Sequence, residues 1–155
     1  MKEILLFLLL FYSTQSFACT CKTPNKITES EIENAGEIFF GTIVSIENDE
    51  TNVVLIATFE IKKYLKGQVR KSHLTVRTSS SGGSCGLNFK VGQKWYVFSE
   101  YSDEGLYASL CGRSVQLTNF KSKAKRLIIG RKNYRKMKRR VRQDKIAIRK
   151  YHDKF

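Results

Sequence analysis

The chain has 155 residues, four cysteines and a formal net charge of +14. That length is one domain of ordinary size, enough to bury a core and too short for several. The charge excludes a uniformly basic domain: residues 121–155 hold 16 Lys or Arg against Asp144 and Asp153, whereas residues 1–120 hold 12 of each sign, so a neutral domain precedes a basic tail.

Residues 1–18 read as a secretory signal peptide. Lys2 gives a short basic start, Ile4 to Tyr12 is an unbroken apolar run, and Ser16-Phe17-Ala18 puts small residues where a signal peptidase needs them. Nine apolar residues are too few to span a bilayer. The expectation is cleavage after Ala18 and a secreted or periplasmic protein of 137 residues. Cys19 would then be its first residue, with α-amine, carbonyl and thiol together at the chain end. Lipidation of Cys19 is the alternative, and Ser16 fits it poorly, because the position three before a lipidated cysteine is usually Leu.

The cysteines are Cys19, Cys21, Cys85 and Cys111. An even number in an exported chain implies disulfides. A bridge between Cys19 and Cys21 would close a strained loop, so both are expected to reach Cys85 and Cys111 and to staple the N-terminal segment across the domain twice. A four-cysteine zinc site is the rival reading. It lacks paired C-x-x-C knuckles and sits in the wrong redox compartment.

Thr28-Glu29-Ser30-Glu31 has capping-box spacing and predicts a short helix ending near Gly36. Five short strands with turn-rich joints are expected at residues 38–46, 52–64, 73–78, 94–101 and 106–110, the first of them apolar and β-branched. Gly41 inside the first run suggests a bulge or barrel bend. Residues 79–86 (SSSGGSCG) form a loop tied down at Cys85. Five short strands with turn-rich joints predict a mainly β fold, a small closed or partly closed barrel with flanking helices. Residues 120–129 look helical, Gly130 interrupts, and a second helix starts at Arg131. Along it Tyr134, Met137, Val141, Ile148, Tyr151 and Phe155 recur at helical spacing.

The other face of that helix is basic: Arg131, Lys132, Arg135, Lys136, Lys138, Arg139, Arg140 and Arg142. Such a face suits anionic lipid, lipopolysaccharide or a glycan polymer, and export argues against nucleic acid. The expected organisation is a signal peptide at 1–18, a barrel domain at 19–129 and a basic helical tail at 130–155. There is no serine-nucleophile motif, no phosphate-cradling glycine loop and no pair of carboxylates in an obvious cleft. His73 and His152 lack ligand-like spacing, and Trp95, Tyr96 and Phe98 read as barrel core. The reading is a monomeric non-enzyme with no cofactor and no metal of its own.

In order along the chain stand Cys19-Thr20-Cys21, a helix, the run Ile38 to Ile46, Tyr64-Leu65-Lys66-Gly67, Cys85-Gly86, Val91-Gly92 before Trp95-Tyr96-Val97-Phe98, Gly105-Leu106, Cys111 and a further helix. Over residues 19–129 this series resembles the netrin-like family, and within it the N-terminal domain of the tissue inhibitors of metalloproteinases. The resemblance implies a five-stranded OB-type barrel and the pairs Cys19–Cys85 and Cys21–Cys111. It also implies a mechanism. The Cys19 α-amine and carbonyl would chelate the catalytic zinc of a target metalloproteinase. Thr20 would enter its specificity pocket, Cys21 would complete the inhibitory start, and Ser84, Cys85 and Gly86 would form a contact loop. Vertebrate inhibitors of this type carry a third disulfide in this domain and a second cysteine-rich subdomain, and this chain has neither. The alternative implied function is therefore a non-inhibitory netrin-like binding module, held to an anionic surface by its basic tail.

Overall fold

The computed structural model describes residues 19, 21, 26–67, 71–80, 84–117 and 131–154. In chain order these form helix α1 (Glu29–Asn34), strands β1 (Ala35–Asn48), β2 (Val54–Lys66), β3 (His73–Ser79), β4 (Lys94–Ser102), β5 (Gly105–Tyr107) and β6 (Val115–Gln116), and helix α2 (Arg131–His152). The helix expected at 120–129, the signal peptide, Thr20 and Phe155 lie outside the described residues.

The capping box forms as its spacing predicts. The Thr28 hydroxyl accepts from the Glu31 amide, and the Glu31 carboxylate accepts from the Thr28 amide. These two bonds start a helix too short to hold itself. It ends where Ala35 turns extended and enters β1.

The sheet runs β1-β2-β3-β5-β4 and closes where β4 pairs with β1. Every pairing is antiparallel except β3 with β5, where Arg77 sits opposite Tyr107. That order makes a closed five-stranded OB-type barrel. Closure falls to β1, which is 14 residues long and has two partners. Its middle pairs with both at once: Gly41 faces Ile61 of β2 and Trp95 of β4. A register shift lies between Phe40 and Gly41, the bend that the glycine suggested. A Cβ there would come 3.1 Å from the Glu60 carbonyl oxygen.

Three elements differ from the sequence reading. Strand β2 begins at Val54, because Asn52 adopts a left-handed φ of 58° and Asp49 holds the turn by accepting from the Val54 amide at 3.0 Å. Strand β5 stops at Tyr107. The Ala108 amide still donates to Arg77, but Leu110 leaves the sheet to donate to the Cys85 carbonyl. Strand β6, unforeseen, is two residues that pair with Trp95 and Tyr96 on the outer side of β4.

Alternation along β1 and β4 sorts two cores. Phe39, Ile43, Trp95 and Val97 point into the barrel with Phe59, Val76, Leu87 and Phe89. Ile38, Tyr96 and Phe98 point outward and are covered by Ile32 and Ala35 and by Val141 and Ile148 of α2. This explains why 95–98 is buried without interruption: both faces of β4 are covered.

Candidate functional site

Two places on the barrel carry chemistry: the stapled N-terminus and the helix α2. At the first, Cys19 is bonded to Cys85 and Cys21 to Cys111, with Cα atoms 5.6 and 4.8 Å apart. The two bridges lie side by side, since the sulfurs of Cys21, Cys85 and Cys111 are all within 4.8 Å of one another. As disulfide sulfurs they carry no thiolate, which a zinc site would require. The four-cysteine metal reading is thereby set aside in favour of the disulfides.

The loop that receives Cys19 is itself fixed. Cys85 takes a left-handed φ of 58°. Its carbonyl accepts from the Leu110 amide at 2.7 Å, and the Leu87 amide donates to the buried Thr78 hydroxyl at 2.9 Å. Between them, Gly86 passes so close to β3 that a Cβ would stand 1.8 Å from the Ser79 carbonyl oxygen. Only glycine fits that approach. Ser84 is exposed, and Cys19, Cys21, Cys85 and Gly86 are half-buried. Cys19 therefore has a defined, partly exposed place beside this loop. Of the residues singled out for inhibition, the structure brings together Cys19, Cys21, Ser84, Cys85 and Gly86.

At the second place, α2 is docked along the barrel. Arg113, in the segment between Cys111 and β6, is 2% exposed and its side chain makes four hydrogen bonds to three groups. It donates through Nε and Nη2 to Glu31 at 3.0 Å each, through Nη2 to the Lys26 carbonyl at 2.7 Å, and through Nη1 to Asp144 at 3.4 Å. Asp144 is fully buried and also accepts from the Tyr96 hydroxyl at 3.5 Å. Arg140 donates to the Arg113 carbonyl at 2.9 Å. One guanidinium thus joins α1, the barrel and α2.

Burial raises the Asp144 carboxyl above the usual range, against the opposing pull of Arg113 and Arg140. Burial also pushes the Tyr96 hydroxyl strongly upward, and the Asp144 charge adds to it. For Glu31 burial acts upward too, but the hydrogen bonds from Arg113 and the Thr28 backbone outweigh it and hold the carboxyl low. The sequence reading missed this cluster. Its signal was Asp144 itself, an acid three residues after Val141 and four before Ile148, in phase with the apolar stripe of a basic helix.

The basic residues divide. Arg135, Lys136, Lys138, Arg139 and Arg142 are exposed. Arg140 turns toward the barrel and is half-buried, so it belongs to the latch rather than to an outer face. Arg131 and Lys132 open the helix, and their side chains lie outside the described set. Beside α2 runs a groove of about 770 Å³, floored by the outer face of β1 and β2. Among the described residues no helix is long and apolar enough to cross a membrane.

No protein-family model matches the chain, and no curated protein sequence matches it.

Proposed function

We propose that this chain is a secreted, netrin-like inhibitor of zinc metalloproteinases that acts through Cys19 once residues 1–18 have been removed. One observation carries the reading: a disulfide fixes Cys19 to a loop that is itself clamped by Leu110, Thr78 and the close approach of Gly86 to Ser79. A terminal amine and carbonyl on such a base have little freedom left to lose when they bind. Catalytic zinc keeps an open position for water, and the Cys19 pair would fill it. A terminal amine has a pKa of about 8, so a neutral fraction that can donate to zinc exists near pH 7. The zinc belongs to the target. Thr20 would project into the target's specificity pocket, with Ser84 to Gly86 alongside.

The test is the residual activity of a panel of zinc metalloproteinases in the presence of protein whose N-terminus has been sequenced as Cys19. Inhibition at one molecule of protein per molecule of protease is expected. No inhibition across a broad panel removes the reading.

A second reading, the anionic-surface module, draws on a separate observation. Arg135, Lys136 and Arg139 are exposed, and none of them forms a salt bridge among the described residues. Binding to anionic vesicles that weakens steeply with salt, and is lost on reversing these three charges, is its test.

A further inference from the structure

Helix α2 has two flanks with opposite electrostatic surroundings. On one, its polar groups are met by the barrel and α1: Asp144 and Arg140 by Arg113, the Tyr151 hydroxyl by Glu33 at 3.5 Å and, just past the helix, Lys154 by Glu29. On the other, Lys138, Arg142, Lys145, Arg149 and His152 follow one another at steps of four, three, four and three, a straight stripe down the helix. All five line the groove. Among the described residues no acidic side chain lines it, and none of the five forms a salt bridge. Glu or Asp three or four residues from a cation would neutralise it on a helix; none stands at that spacing from Lys138, Arg142 or Lys145, and Asp153, four residues after Arg149, forms no salt bridge with it among the described residues.

The floor of the same groove is apolar. Phe40, Leu65 and Leu117 supply the barrel side, and Met137, Val141 and Ile148 the helix side. Ile146 stands half-exposed at its edge. Lys145 reaches across, its Nζ 5.6 Å from the centre of the Phe40 ring, so a cation sits directly above the apolar floor. The His152 ring, which also lines the groove, hydrogen-bonds to the Leu65 carbonyl at 3.1 Å. The volume, about 770 Å³, lies in the range of roughly 300–1,000 Å³ that small-molecule sites occupy.

An apolar trough under a row of cations that no carboxylate pairs among the described residues selects a ligand with an apolar body and an anionic head. We propose that this groove binds a fatty-acid carboxylate, with the acyl chain along the partly exposed Phe40, Leu65, Leu117 and Met137 and the carboxylate held by Lys145 and Arg149. Burying the chain supplies the affinity, and the stripe supplies the sign of charge that is accepted. The site is separate from Cys19 and from the outward charges Arg135, Lys136 and Arg139, so it stands whether or not either reading above does.

The experiment is calorimetric titration of the mature chain with laurate below its micellar concentration, against dodecyltrimethylammonium, which has the same tail and the opposite charge. Saturable one-to-one binding of laurate is expected, with the cationic amphiphile at least about tenfold weaker. Lys145→Glu/Arg149→Glu should weaken laurate by a similar factor, and Met137→Trp, which fills the floor, should abolish binding. If either variant fails to fold, the two-ligand comparison on the unaltered chain still decides. Absence of saturable laurate binding overturns the proposal, as does equal affinity for the two amphiphiles. Loss of laurate on Arg135→Glu/Lys136→Glu/Arg139→Glu to the same extent as on the stripe variant overturns it in favour of non-specific attraction. A gain in laurate affinity on Leu127→Ser/Ile129→Ser assigns the groove to the chain's own apolar segment, and a dimer in sedimentation that laurate dissociates assigns it to a second copy; both overturn the proposal.

Discussion

Cys19 and Cys21 are held to the barrel by two covalent bonds, whereas α2 is held by Val141 and Ile148 and by one buried charge pair, Arg113–Asp144. The two attachments nearly touch, since Cys111 and Arg113 are two residues apart. They obey different physics. A disulfide acts chiefly on the unfolded chain, which it shortens, and it is indifferent to pH. A buried ion pair acts within the folded state, where the attraction between the partners must offset the cost of taking both out of water, and removing one partner leaves the other's cost unopposed. The first suits a group that must stay in one place. The second ties three elements with a single side chain, and that chain is its weak point.

The largest effect is expected at the staple. Cys21→Ser/Cys111→Ser opens a loop with a sequence separation of 90 and should cost about 4 kcal/mol, read as a lower midpoint in denaturant. If the cost is below about 1 kcal/mol, the bridge adds little to the unfolded-state constraint and the contrast fails.

Next comes the latch. Arg113→Met leaves Asp144 buried without its cation and should cost about 3 kcal/mol or more. Adding Asp144→Leu should recover much of that loss, because an apolar pair of similar volume replaces a charge that had to be desolvated. Recovery would separate the ionic lock from the covalent one; additive losses would mean that Asp144 has other partners of equal weight.

A smaller and sharper effect follows from pH. Glu31 is held below its ordinary value of 4.5, so its contribution is complete above that value and is lost as pH falls through the lower folded value. Asp144 is raised, so its contribution runs the other way: complete below its ordinary value of 3.8 and lost as pH rises through the folded value. Denaturant midpoints of Glu31→Gln should therefore fall less steeply than those of the parent on acidification below pH 4.5. Identical acid limbs would show that Arg113 does not depend on Glu31. The smallest effect belongs to the exposed charges. Arg135→Ala and Arg139→Ala should each change stability by less than about 0.5 kcal/mol while lowering affinity for anionic vesicles.

The barrel was legible because β1 and β4 are continuous apolar runs and their turns are marked by Asn48-Asp49, Lys66-Gly67 and Val91-Gly92. The capping box and the bend at Gly41 were legible for the same reason: each is a local rule. Strand β6 was not, since two residues carry no period. The reach of Arg113 was not either. It lies 82 residues from Glu31 and 31 from Asp144, and no local pattern says that a surface-type residue will be buried between them. The basic helix was legible in its composition, but charge alone did not separate Arg140, which faces inward, from Arg139, which faces water. That division depends on where the barrel lies. The pairing of Cys19 with Cys85 and Cys21 with Cys111 came from family resemblance and matches the bridges in the structure.

The central claim concerns the Cys19 amine, and one comparison tests it directly. Protein beginning at Cys19 and protein retaining Ala18 should differ only at the terminus, where the second presents an amide nitrogen, a poor zinc donor, in place of the amine of the first; non-reducing peptide mapping and circular dichroism check that the two share disulfides and fold. Residual activity of a zinc metalloproteinase should be low with the first form and near full with the second, and inhibition by the first should weaken below neutral pH as the amine protonates, after the protease's own titration is subtracted. Equal inhibition by both forms would contradict the account, because it would show that the terminus fixed by the Cys19–Cys85 bridge is not the group that acts.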